Sequence, residues 1–402
     1  MHIHATNVND AFYQVVRGVH TGTVPTARRP SRNGHTLTVE EPLTLTYERP
    51  DQRVLFNVSR DANPFFHLYE SLWMLAGRND VAPLAYYLPK MVEFSDDGKV
   101  FNGAYGYRWR TARFPEDYQG NAGEYQGIGK YAWHRQHGGV DQLDLLVNHL
   151  KAHPESRRAV LSMWNVEDDL LKVDQSRDVV CNLCITFQLR PTEWEEVDAT
   201  PIAGPEQKVR TFITKSVLDM TVFNRSNDLI WGSLGANAVH FSFLQEYMAA
   251  RLGVGVGQYH QVSSNAHVYS WNWKPKEWLA EYDKRTMFSP EQVGYNSLNP
   301  VPLVNDPEVF ERELPLFVEK HKGYSMGGYY SEPFLMHVAQ PLCLAFHRQK
   351  IKEYDGALLA LKECRAEDWR IAATGWINRR LKKRQLAQER EKYHGGQHEG
   401  VE

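Results

Sequence analysis

Apolar positions along the chain fall into short blocks whose period alternates between that of a helix and that of a strand. Residues 8–19 carry a helical stripe. Residues 21–34, rich in Gly, Pro and Thr, read as a loop that displays Arg28, Arg29 and Arg32. Residues 35–39 and 43–47 alternate apolar side chains with Thr and read as a strand pair. From Pro64 to Gly77, Phe65, Phe66, Leu68, Tyr69, Leu72, Trp73 and Leu75 repeat as on a buried helix ended by glycine, with Glu70 as its one acid. Residues 141–149 predict an amphipathic helix, and 159–164 a strand. The run 179–189 around Cys181 and the alternating 217–223 predict further strands. Residues 238–252 predict a helix stopped by Gly253, and 258–262 another strand. This alternation predicts an α/β (α+β) domain over 1–274, interrupted by polar inserts at 113–139 and 191–212 that show no clear period. Residues 275–402 differ in texture and predict a mainly helical extension ending in a basic tail.

Composition narrows the function classes. The chain has 402 residues, 42% of them apolar, and a formal charge of −3, so it is not built mainly to coat nucleic acid or an anionic membrane. The basic run Arg379, Arg380, Lys382, Lys383 and Arg384 reads as a solvated helix face. No apolar run approaches the roughly 20 residues of a membrane span, and the N-terminus lacks a signal-peptide pattern, which predicts a soluble cytoplasmic protein. Four cysteines make a disulfide framework an unsuitable reading, and Cys181-x-x-Cys184 has no second such pair to complete a zinc site.

Several polar residues stand where packing alone gives them little reason to be. A thiol within an apolar run is by default a small hydrophobe, but a nearby arginine would lower its pKa and make Cys181 a nucleophile. Glu70 within an apolar helix needs a partner or a function. Arg157 and Arg158 are adjacent, and on a strand adjacent side chains face opposite sides, so one or both must meet an anion or a partner chain. The polar group Asn224 to Asp228 follows a strand end, a common position for ligand contacts. Asn237 opens a helix and could simply cap it. His267 and Tyr269 share one strand face.

Taken in order, Glu70, Tyr105, Arg157-Arg158, Cys181, Arg225-Ser226-x-Asp228, Asn237 and His267-x-Tyr269 resemble the active-site series of the thymidylate synthase superfamily, which includes the pyrimidine hydroxymethylases. The resemblance covers roughly residues 5–272. It implies a three-layer fold around a twisted mixed sheet, a homodimer packed sheet to sheet, and 5,10-methylenetetrahydrofolate as one-carbon co-substrate, with no metal. It further implies that Cys181 adds to carbon 6 of the pyrimidine, and that Arg225 and Ser226 bind the nucleotide phosphate. Arg157 and Arg158 would reach that phosphate from the partner subunit, and one of Arg28, Arg29 and Arg32, taken here as Arg32, would complete the set. Glu70 and Tyr105 would serve proton transfer, Asp228 the pterin ring, and His267 and Tyr269 the deoxyribose hydroxyl. Asn237 would read the base, its amide answering the donor at N3 and the acceptor at O4 of uracil.

Three departures bear on the product. Met91 and Phe94 stand in the loop that carries two tryptophans in the synthases, Asn182 replaces the usual His after the cysteine, and no sealing C-terminal segment is recognisable. A weaker aromatic seal favours attack by water over hydride transfer. The expected activity is therefore hydroxymethylation of dUMP. The alternatives are reductive methylation to dTMP, a dCMP hydroxymethylase, and a non-catalytic binding protein on the same fold.

Overall fold

The computed structural model describes residues 1–112, 139–192, 194–199, 207–212, 215–283, 295, 298–323 and 328–395. The insert expected at 113–139 lies, but for Gly139, outside the described residues. Of the insert expected at 191–212, the described part forms a hairpin of β7 (Trp194–Ala199) and β8 (Gln207–Phe212).

The main sheet has six strands in the order β1 (His2–Ala5), β4 (Leu43–Tyr47), β11 (Gly255–Ser263), β9 (Ser216–Asn224), β6 (Asn182–Pro191) and β5 (Val160–Ser162). It is mixed: β1 with β4 and β11 with β9 run parallel, the other pairs antiparallel. Period-two alternation in β9 buries Leu218, Met220 and Val222 on one face and leaves the other half-exposed. Against the buried face lies α6 (Asn237–Leu252), stopped by Gly253 at φ 74. Gln245 of that helix donates to Leu218 O at 2.7 Å, where β9 meets β11 beside a bulge. A second sheet, β10 (Asn227–Asp228), β12 (Ala266–Tyr269), β3 (Gly34–Val39) and β2 (Thr26–Ser31), stands beside it.

Three expectations are corrected. The strands at 35–39 and 43–47 do not pair with each other. β4 buries four of its five residues and takes neighbours on both edges within the main sheet, while β3 pairs with β2 and β12. The supposed arginine loop is in part the strand β2; at the sheet edge, Pro30 and the exposed Arg28 and Arg29 are tolerated. The alternation argument for Arg157 and Arg158 also does not apply, because β5 begins at Val160 and both arginines are exposed before it.

Helices α1 (Val8–Thr21), α2 (Pro64–Leu75), α3 (Val81–Tyr87), α4 (Tyr105–Arg110), α5 (Gln142–Ala152) and α7 (Pro275–Asp283) surround the sheets. Asn7 and Asn63 cap the first two, and Pro64 suits the first position of α2. The extension, with α8 (Pro307–Lys320), α9 (Gln340–Lys350), α10 (Tyr354–Lys362) and α11 (Glu367–Gly395), packs directly on α2, α3 and α6. Phe65 meets Phe346 and Trp376, and Phe243 meets Phe334 and Trp369. The Tyr69 and Tyr87 hydroxyls donate to Val318 O and His321 O at 2.8 and 2.9 Å. The basic run is only partly a solvated face, since Arg379 and Arg380 pair with Asp61 while Lys382 and Lys383 are exposed.

One buried cation joins these layers. Arg110, at the end of α4, donates to Leu75 O (3.0 Å), Asp141 (2.9 Å) and the Tyr247 hydroxyl (3.0 Å), and pairs with Glu311 of α8 at 2.9 Å. Arg110→Met leaves Asp141 and Glu311 buried without their cation and is expected to cost about 3–5 kcal/mol, read as a lowered denaturant midpoint.

Candidate active site

The antiparallel pairing of β6 with β9 matches Asn182 to Asn224, so the residues just beyond, Cys181 and Arg225, also lie side by side. The Arg225 N–H donates to Cys181 O at 2.9 Å, and its guanidinium donates to Val180 O and Val179 O, each at 2.9 Å. Arg225 thus holds the backbone that carries the thiol. From the other side, Gly103 N–H donates to Asp178 Oδ2 at 2.7 Å; a Cβ at Gly103 would stand 2.9 Å from Asp178 Oδ1, so glycine is needed for this approach. Two residues later Tyr105 opens α4, its hydroxyl engaged by the Cys181 backbone and its ring 5.8 Å from Phe241. The turn between β2 and β3 supplies Arg32, which donates to Arg177 O at 3.4 Å and whose charge reaches the thiol. Arg28 and Arg29 stay exposed on β2.

Burial pushes the Cys181 thiol above its ordinary pKa; Arg225 and Arg32 pull it down and Asp178 pushes it up. Arg225 and Arg32 thus act on the thiol in the expected direction, while desolvation outweighs them. Burial likewise raises Tyr105.

The second sheet brings the remaining residues. β10 and β12 pair Asp228 with His267. His267 and Tyr269 share a face with ring centroids 5.3 Å apart, and Asn33 donates to the Tyr269 hydroxyl at 3.4 Å. Asp228 caps the helical segment Leu229–Ala236, one oxygen accepting from Ile230 N–H and Trp231 N–H at 2.7 Å each. Its second oxygen has no hydrogen-bond partner among the described residues. Burial raises its pKa, and these amides and His267 oppose the rise. Ser226 is half-buried beside Arg225. Asn237 is not a cap: Ala236 holds that position, and the Asn237 amide donates to Asn227 Oδ1 at 3.2 Å. Met91 is half-buried and Phe94 is 42% exposed in the turn Pro89–Phe94. Arg157 and Arg158 do not join Cys181 within the chain; both stand exposed.

Glu70 has a partner that sequence reasoning missed. His240 Nε2 lies 2.8 Å from Glu70 Oε2, both side chains buried. His67, one turn before Glu70, is driven down to about 3 by burial and by the neighbouring charges of His240 and Arg60. His240 lies three residues after Asn237 on α6, a spacing that places both on one helix face and could have flagged it. Asp178 and Trp231 carried no such signal, and Asn227 only that of the polar group Asn224 to Asp228. Trp231, 48% exposed, lies over Arg60 at 4.6 Å. Among the described residues no group of three or more His, Cys, Asp or Glu could hold a metal ion, and no helix is long and apolar enough to cross a membrane.

Residues 17–290 match the family model described as thymidylate synthase. A deoxyuridylate hydroxymethyltransferase of Pseudomonas phage M6 is 39% identical over 361 residues, 88% of this chain and 88% of that protein. That alignment is too long to stop at residue 290, so the likeness includes part of the extension. A deoxyuridylate hydroxymethyltransferase of Bacillus phage SP01 is 37% identical over 57% of this chain and 49% of its own length. A putative thymidylate synthase of Methanothermobacter thermautotrophicus is 32% identical over 36% of this chain and 51% of its own length.

The balance at Cys181 gives a direct expectation. Its alkylation by iodoacetamide, followed site by site by mass spectrometry, rises with pH and is still rising above pH 8, because the thiol titrates above its ordinary value. Arg225→Ala removes the largest opposing charge and moves the profile to higher pH; an unchanged profile would show that Arg225 does not act on the thiol.

Proposed function

The chain belongs to the thymidylate synthase family, and on that footing we propose that it is a one-carbon transferase that hydroxymethylates dUMP at carbon 5. The observation that carries the reading is the convergence of Arg225, Arg32 and Tyr105 on the Cys181 segment. A thiolate at Cys181 adds to carbon 6 and turns carbon 5 into a nucleophile. Arg225, Arg32 and Ser226 take the phosphate, whose binding holds the arginines at the thiol. His267 and Tyr269 hold the deoxyribose hydroxyl, and Asn237 meets the N3–H and O4 edge of the base. Tyr105 and Glu70 carry protons at the ring, with the His240 imidazole beside the Glu70 carboxylate.

The residues present suit a methylenetetrahydrofolate co-substrate. Asp228 keeps one carboxylate oxygen free for ring N–H groups, and the exposed Trp231 with Met91 and Phe94 offers apolar surface to a flat bicycle. That co-substrate supplies one carbon at the oxidation level of formaldehyde. The exposure of Phe94, where the synthases carry a tryptophan seal, supports capture of the methylene on carbon 5 by water rather than by hydride.

Arg157 and Arg158 belong to the partner's site in a homodimer packed through the half-exposed face of the main sheet; their exposure supports this. Residues 1–274 carry the chemistry and 275–402 brace it. That its relatives are encoded by phages supports a reaction in the host cytoplasm.

Incubation with methylenetetrahydrofolate and dUMP is expected to add a hydroxymethyl group, read by nucleotide mass, and to leave tetrahydrofolate. A methyl product with dihydrofolate would make the protein a synthase, turnover of dCMP alone a cytidylate enzyme, and no turnover by the folded protein a binding protein. Cys181→Ser is expected to abolish turnover. Mixing it with the Arg157→Ala, Arg158→Ala double variant, under conditions that exchange subunits, should restore up to a quarter of the activity. Failure to restore it would remove the shared site.

A further inference from the structure

Asn237 is held from behind by two other amides. Its Nδ2 donates to Asn227 Oδ1 at 3.2 Å. Asn227 Nδ2 in turn donates to Gln261 Oε1 and approaches Ser263 Oγ at 3.4 Å. Gln261 Nε2 donates to the backbone carbonyl of Ser233 at 3.4 Å, which also accepts from the Tyr47 hydroxyl at 2.7 Å. Asn227, Gln261 and Ser233 are buried, whereas Asn237 is half-buried, with its Oδ1 and second N–H without partners among the described residues. Gly232 keeps the group compact: a Cβ there would lie 2.2 Å from Asn227 Oδ1 and 3.2 Å from Asn237 Nδ2.

A side-chain amide has one accepting and one donating end, and a backbone carbonyl can only accept. The Ser233 carbonyl therefore orients Gln261, Gln261 orients Asn227, and Asn227 orients Asn237. Turning the Asn237 amide over would set its oxygen against Asn227 Oδ1. Turning all three would move the same acceptor-to-acceptor conflict to Ser233, where no water competes to relieve it.

We propose that the relay from Ser233 through Gln261 and Asn227 locks the orientation of the Asn237 amide and thereby makes the site select uracil over cytosine. The proposal rests on the reading of Asn237 as the base contact. Uracil offers a donor at N3 beside an acceptor at O4, and cytosine offers the reverse, an acceptor at N3 beside a donor at N4. An amide free to turn over answers both edges; a locked one answers a single edge and leaves the other base facing like groups. Asn227 and Gln261 are thus positioning residues that act on the base only through Asn237.

The test compares kcat/KM for dUMP and for dCMP, with methylenetetrahydrofolate, in the full-length protein and in Gln261→Met and Asn227→Ser. Methionine keeps the length of the side chain without its amide, and the serine hydroxyl can donate or accept, so neither transmits an orientation. The preference of the wild type for dUMP over dCMP is expected to fall roughly tenfold or more in each folded variant. Loss of activity on both nucleotides in the same proportion would overturn the proposal, since a merely structural role weakens both alike. Should one variant fail to fold, the ratio is read on the other; should both fail, the Gln261→Glu protein, whose carboxylate still accepts from Asn227, serves in their place and is expected to keep the dUMP preference, loss of which overturns the proposal. A wild type that prefers dCMP would also overturn it, and a wild type that turns over neither nucleotide would instead remove the function on which it rests.

Discussion

A guanidinium with no exposed surface must be answered on all its donors, and Arg110 is answered from four directions at once. The end of α2 gives a carbonyl, the first residue before α5 gives a carboxylate, α6 gives a hydroxyl, and α8 of the extension gives Glu311. Asp141 is doubly used, since its other oxygen caps α5 through the Leu143 and Asp144 N–H groups. The same arginine closes the short helix that Tyr105 opens, so the position of Tyr105 beside Cys181 is set at one end of six residues by a charge buried at the other. Among the described residues, this anchor links the extension to the helix that carries Tyr105.

At the thiol two opposing requirements meet. Burial desolvates the Cys181 thiol, which favours its neutral form, while the charges of Arg225 and Arg32 favour its charged form. Arg225 meets both needs with separate parts of one guanidinium: Nε and one Nη2 hydrogen go to the carbonyls of Val180 and Val179, and its other donors and its charge remain. The geometry of the cysteine loop and its reactivity are therefore not independent properties.

Much of this was legible in the chain. The buried period of α2, the alternation in β9 and the glycine stop after α6 were read from local pattern, because each reflects burial of one face of a regular element. Strand partnership was not legible. Residues 35–39 and 43–47 look alike locally, and only the near-complete burial of β4, a property of the assembled sheet, sends them to different sheets. In the site, polar residues at strand and helix ends were recognisable by type and order. Their partners were not, since His240 beside Glu70 and Asn227 behind Asn237 are ordinary helix and strand-end residues until the fold closes around them. The direction of the Cys181 shift also escaped, because the degree of desolvation is set by tertiary burial.

The row of amides behind Asn237 has a consequence for how such a chain can change over generations. Each member has two orientations, but the row has only one arrangement compatible with the Ser233 carbonyl at its end. The fitness effect of replacing any one of residues 227, 237 and 261 therefore depends on the state of the other two, and these positions drift together or not at all. On the proposed reading of Asn237, a single replacement that frees its amide leaves a site that answers both bases, so the ancestry of such enzymes should record a change of nucleotide as a cluster of linked replacements around a two-base intermediate.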